Sequence, residues 1–103
     1  MNLYAFERPK EGGETETVLY ESPCVGIRRI VSNLARTQWY DQHDDEWLVL
    51  LEGTALLEFE DGAPVQLHRG DTLLIAAHRR HRVAQTSADA LWLTVHVEVG
   101  SER

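Results

Sequence analysis

Residues 46–81 read EWLVLLEGTALLEFEDGAPVQLHRGDTLLIAAHRRH, and this stretch decides the fold. The run Ala55-Leu56-Leu57-Glu58-Phe59-Glu60 leads into Asp61-Gly62 and then Val65-Gln66-Leu67. Asp-Gly tolerates the positive φ angles of a tight turn whose twist suits two antiparallel strands, so a hairpin is expected here. His68-Arg69-Gly70-Asp71 then separates two further apolar runs, and Gly70 can take a backbone conformation closed to other residues. A second turn is expected at that point.

The same texture extends outward in both directions. Short segments rich in Val, Ile, Leu, Thr and Trp recur between Gly, Pro, Asn and Asp. Strands are expected over residues 17–20, 25–32, 35–39, 46–52, 55–60, 64–67, 72–75, 82–86 and 91–99. No long helical pattern interrupts them. Many short strands without helices leave an open sandwich or a closed double-sheet roll. Residues 1–16 hold Pro9, Gly12 and Gly13 among alternating charges and read as an arm that packs on a single barrel domain spanning 17–103.

Composition narrows the functional classes. With 43% apolar and 26% charged residues in a chain of 103, one folded domain with one core is expected. The longest charge-free apolar run here, Trp47–Leu51, is far below the roughly 20 residues that span a bilayer. No membrane partner is expected. The residues from Met1 to Lys10 lack the apolar region of a secretory leader, and the lone Cys24 has no intramolecular partner, so a cytoplasmic home is expected. A formal charge of -7 repels polyanions, which argues against nucleic acid as a partner.

Two spacings choose between sandwich and roll. Glu46 is followed by six residues and Gly53; Gly70 is followed by Asp71 to Ile75, then Ala76-Ala77-His78, two arginines and His81. Here the chain resembles the cupin family. That family's first motif ends in a glutamate, six residues and a glycine, and its second runs from a glycine through five residues to Pro-x-Gly, two more residues and a histidine. The resemblance covers Trp39 to Val97 and implies an all-β double-stranded β-helix, the jelly-roll barrel. The interval from Gly53 to Gly70 matches the short hairpin of compact bacterial cupins. The resemblance further implies that Glu46 and His81 point into the barrel and bind a metal with two more histidines. Their slots here hold Tyr40 and Gln42, or Trp39 and Asp41. Ala76, His78 and Gln85 stand where the family usually has Pro, Gly and Asn.

A divalent iron, manganese, zinc or nickel ion needs about three protein ligands drawn from imidazole and carboxylate. Glu46 and His81 supply two. The third can be His43 if its segment loops inward, Gln42 through its amide oxygen, or His96 if the last strand faces the cavity. On that strand Leu91, Leu93, Val95 and Val97 share one face, and Trp92, Thr94 and His96 share the other. Asp41, Asp44 and Asp45 form an acidic cluster around His43 that either attracts a cation or is a wet loop. Of Arg79, Arg80 and Arg82, an inward guanidinium would grip a carboxylate or phosphate, with Arg82 the candidate. Trp39, His78 and His96 complete the candidate substrate contacts, and Tyr40, Glu46 and His81 are the candidate acids and bases.

No nucleophile elbow, phosphate-cradling loop or Cys cluster is present in the sequence. Three readings share one cavity. One is a metal-dependent enzyme acting on a small polar or anionic metabolite. Another is a binding or sensor barrel without catalysis, and the last is a metal-free isomerase or dehydratase. Trp39, Trp47 and Trp92 read as core or interface aromatics, and a homodimer is expected.

Overall fold

In the computed structural model, which describes residues 1–99, the chain forms eight strands and no helix among the described residues. They are β1 (Glu14–Glu21), β2 (Val25–Ser32), β3 (Asp44–Glu52), β4 (Ala55–Phe59), β5 (Gly62–Leu67), β6 (Thr72–Ile75), β7 (His81–Thr86) and β8 (Ala90–Glu98). The last four residues of the barrel span expected from 17 to 103 lie outside the described residues.

All strand pairs are antiparallel. One sheet has the order β1-β2-β8-β3-β6 and the other β5-β4-β7. Alternation along the strands sends Leu48, Leu50 and Trp92 from the first sheet against Leu57, Phe59 and Leu67 from the second, which closes the roll. Leu50 is fully buried, and truncating such a leucine to alanine costs about 2–5 kcal/mol.

Three local expectations change. The hairpin turn is Glu60-Asp61, not Asp61-Gly62: Phe59 pairs with Gly62, and Gly62 lacks a positive φ. This register keeps Phe59 in the core, and a bulge between Leu57 and Phe59 adds the local twist. Residues 35–39 run beside β7 without forming a strand. Thr37 Oγ1 accepts from Val83 N and Thr86 Oγ1 accepts from Ala35 N, so side chains take ladder positions that backbone carbonyls would fill. Finally, β1 starts at Glu14 and β3 at Asp44, each earlier than the apolar runs suggest. The early part of β1 is polar because Glu14 and Glu16 border the cavity described below, and that of β3 because Asp44 and Asp45 bind His96 and the Ala77 amide.

Glycine is required at Gly53, where φ is +86° and an added Cβ would lie 2.8 Å from Ala90 Cα. Gly70 also has a left-handed φ of +87°, as its place in a turn predicts.

The arm is pinned to the outside of the larger sheet. Arg29 points outward from β2 and donates to the carbonyls of Asn2, Leu3 and Ala5. Arg8 donates to the carbonyls of Ser32 and Ala88, and Phe6 lies between the guanidinium groups of Arg8 and Arg29. Val31 and Leu91, which face outward, are buried on this half of the sheet. The other half is bare. In register across all five strands, Leu74, Trp47, Val95, Ile27 and Tyr20 form one apolar row. Leu74 is 60% exposed, Tyr20 56% and Trp47 39%.

Candidate functional site

A cavity of about 290 Å³ opens between the two sheets, and Glu46, His81 and His96 meet in it. Strand parity explains the convergence. Glu46 pairs with His96 across β3 and β8, and both point inward. His81 opens β7 on the facing sheet, where it pairs with Phe59 and is held by a backbone bridge to Tyr40.

Glu46 Oε1 lies 3.9 Å from His81 Nε2, and Oε2 lies 3.9 Å from His96 Nε2. Contacts on the far side hold each ring in place. His81 Nδ1 lies 2.8 Å from the Arg79 carbonyl, an acceptor, so Nδ1 carries a proton and Nε2 is turned toward Glu46. His96 Nδ1 lies 3.2 Å from Asp44 Oδ1, which accepts, and 3.2 Å from Gln42 Nε2, which donates, so its neighbours hold the ring in place without selecting a tautomer. His81 is only 4% exposed. Burial pushes the Glu46 carboxyl above its usual range; His96, His81 and a hydrogen bond from Gln42 pull it back, and Asp44 pushes it up. The Tyr40 hydroxyl, at the rim, is also raised, by burial first and by the Glu14 carboxylate second.

Two imidazoles that turn Nε2 toward one carboxylate form a donor set that suits a divalent first-row metal, and backing by a carbonyl and a carboxylate is what such ligands require. Among the described residues no three His, Cys, Asp or Glu close to full coordination spacing. The two 3.9 Å separations exceed by about half an ångström the distance between two ligands of one ion. The chemistry of the donors fits; their spacing stands slightly open.

The other candidates divide cleanly. Gln42 and Tyr40 line the cavity. His43 does not: its side chain is 75% exposed and pairs with Glu98 at 3.3 Å, because β3 begins one residue later and turns it outward. His78 is exposed on a left-handed turn and pairs with Asp41 at 2.7 Å. Arg82 pairs with Glu58 and stacks on Trp39 outside the cavity. Arg79 and Arg80 pair with Asp61 and Glu60, so none of the three arginines enters. The acidic cluster has three separate tasks: Asp41 holds His78, Asp44 backs His96, and Asp45 accepts from Ala77 N.

Sequence reasoning missed Glu14, Glu16 and Arg28, which line the cavity from β1 and β2. Arg28 pairs with Glu16 at 2.9 Å and Glu21 at 3.6 Å. Alternation along Val25–Ser32, with Arg28 and Ile30 on one face, was the available signal. Trp92 donates to Ser32 Oγ, which donates to Glu14 Oε2, so a buried polar chain ties the cavity wall together.

A jelly-roll barrel with inward carboxylate and imidazole groups is the class of protein that fold and site define. A cupin domain model matches residues 35–96. The chain belongs to the cupin family. A Ralstonia eutropha JMP134 protein provisionally named a mannose-6-phosphate isomerase is 36% identical, with 96% of this chain and 97% of that chain covered and a TM-score of 0.89. A cupin superfamily protein from Desulfitobacterium hafniense DCB-2 is 19% identical, with 90% and 84% covered and a TM-score of 0.80. KdgF from Halomonas sp. is 16% identical, with 99% and 95% covered and a TM-score of 0.79. Among curated proteins, none matches.

Proposed function

We propose that this cupin binds a small uncharged hydroxylated or carbonyl compound in its barrel, beside a divalent metal held by Glu46, His81 and His96, and acts on it by moving a proton. The observation that carries this reading is the Glu46 carboxylate standing 3.9 Å from the Nε2 atoms of both histidines. Gln42, whose amide nitrogen faces His96 and which donates to Glu46, orients two of these three groups. When bound, the metal supplies a Lewis acid for a substrate oxygen. Tyr40, at the rim with its proton held firmly, is placed to donate to a substrate oxygen; Leu48, Leu57 and Ile75 exclude water from the deeper wall.

The cavity lining disfavours an anion. Glu14, Glu16 and Glu46 face inward, and the guanidinium of Arg28 is already shared between two carboxylates. Away from the proposed metal, beside Glu14 and Glu16, a phosphate or carboxylate would meet more repulsion than attraction, so the part of the ligand that lies there is neutral. The isomerase name of the Ralstonia protein supports proton transfer as the chemistry, without its phosphorylated substrate.

The test is elemental analysis of untagged, dialysed protein. Near-stoichiometric metal in the wild type, lost in Glu46→Ala with His81→Ala, supports the reading; equally little metal in both overturns it. The open spacing favours one alternative, a metal-free binding or acid-base site in which Glu46 keeps its proton. That alternative gains if metal is absent and ligand still binds.

We also infer a homodimer through the bare apolar row from Leu74 to Tyr20, since a flat stripe across a sheet can pack on its own copy about a two-fold axis. A cytoplasmic setting completes the reading, consistent with an exposed free Cys24.

A further inference from the structure

Three residues of the larger sheet form a hydrogen-bonded chain that ends at the cavity. Trp92 Nε1 donates to Ser32 Oγ at 3.0 Å, and Ser32 Oγ donates to Glu14 Oε2 at 2.6 Å. Chemistry allows only this direction. An indole N–H donates and never accepts, so the Ser32 oxygen receives that bond and its single proton goes to Glu14. Ser32 is 0% exposed and Trp92 3%, so both inner members of the chain are shut off from solvent. Glu14 is different: it is the register partner of Ser32 across β1 and β2, it lines the cavity, and it is exposed. One of its oxygens is held as an acceptor by Ser32, and the other is left to accept from what enters. Among the described residues no cation pairs with this carboxylate, whereas Arg28 meets the charge of Glu16 at 2.9 Å.

We propose that Glu14 is a ligand-binding residue that accepts a hydrogen bond from a hydroxyl of the ligand, and that its tether to Ser32 and Trp92 makes it select hydroxyl donors over groups that only accept. This subsite rests on the reading of the cavity given above and narrows it. Of the hydroxylated and carbonyl compounds allowed there, the ligand is one whose end against β1 carries an O–H. A carboxylate offers lone pairs and no proton, so a carbonyl or ether oxygen set against it is repelled, while a hydroxyl gains a charge-assisted bond. The tether adds to the selectivity. A glutamate already anchored through one oxygen loses little side-chain freedom when the ligand arrives, which an unanchored one would lose in full. The cavity, at about 290 Å³, admits a small polyol.

Glu14→Gln separates this role from a structural one, because the direction of the chain dictates how glutamine sits. Its amide oxygen takes the Ser32 proton and its NH₂ is turned to the cavity, so an acceptor becomes a donor. The test is calorimetry on wild type, Glu14→Gln and Ser32→Ala in buffer containing Mn²⁺. The probes are glycerol, erythritol and xylitol, each beside the analogue whose two terminal hydroxyls are replaced by fluorine, which donates no hydrogen bond. Wild type should bind at least one polyol about 10-fold more tightly than its fluorinated analogue. Glu14→Gln should lose or reverse that preference while melting with the wild type, since its link to Ser32 survives. Ser32→Ala should show a smaller preference than wild type and a lower Tm, because Trp92 Nε1 is left unmet. No preference in wild type, or the same preference in wild type and Glu14→Gln, overturns the subsite and leaves the cavity reading intact. A preference in Ser32→Ala as large as in wild type overturns the role of the tether. If none of the polyols binds wild type, the uncharged-ligand reading falls and the subsite falls with it.

Discussion

Glu46 and His96 face each other across β3 and β8, and Glu46 Oε2 stands 3.9 Å from His96 Nε2. This cross-strand pair gives His96, on the last strand, the place beside the carboxylate that the motif histidines would otherwise share. Asp44 Oδ1 lies 3.2 Å from the far nitrogen of that ring, so in the proposed metal site it is the residue that orients His96.

Asp44→Asn should therefore weaken metal binding by about 10- to 100-fold, as loss of a backing carboxylate typically does. His96→Ala should weaken it further, and His43→Ala should leave it unchanged because that ring faces Glu98. Competition against a chromogenic chelator measures all three. A His43→Ala variant as weak as His96→Ala would contradict the assignment.

Glu46 should make the metal-free protein sensitive to pH. Its folded-state carboxyl is raised by burial, so between the ordinary value of about 4.3 and the raised one the folded state holds a proton that the unfolded state has lost. Stability from this group is present at low pH and is lost as pH rises through that window. Glu46→Gln removes the effect, so urea midpoints of chelator-treated wild type should fall relative to the variant from pH 4 upward. Parallel curves for the two proteins would refute this.

Gly53→Ala should destabilise the fold by about 1–3 kcal/mol, through the left-handed φ and the crowding against Ala90. Gly70→Ala should cost less, about 1 kcal/mol, since no atom lies within 4 Å of an added Cβ. Urea denaturation at fixed pH ranks them. The reverse order would mean that the approach of Ala90 is not what constrains the turn.

Trp47→Glu with Leu74→Glu should convert a dimer to a monomer by light scattering at micromolar concentration, with the thermal transition retained. Both side chains lie in the exposed row and neither joins the buried core cluster. An unchanged mass in the variant, or a monomeric wild type, would rule out pairing through this face.

Much of the architecture was legible because strand alternation and turn residues are local signals. Glu46, Gly53, Gly70 and His81 carried the barrel, and the face shared by Trp92, Thr94 and His96 proved to be the inner one. What was not legible depended on where polar chain turns. His43 sits next to the first residue of β3, and a single position decides whether it faces the cavity or Glu98. Arg82 and its neighbours read as ligand-binding because their acidic partners, Glu58, Glu60 and Asp61, come from another strand and its turn. Glu14 and Glu16 looked like arm because a cavity wall made of carboxylates carries no apolar alternation.

The grip of Arg29 on the carbonyls of Asn2, Leu3 and Ala5 reaches further than the outer surface. The same peptide continues into the edge strand that contributes Glu14 and Glu16 to the cavity. Proteolytic trimming of the first dozen residues, or a bulky fusion joined there, would remove that anchor and leave the edge strand, with Glu14 and Glu16, held by β2 alone.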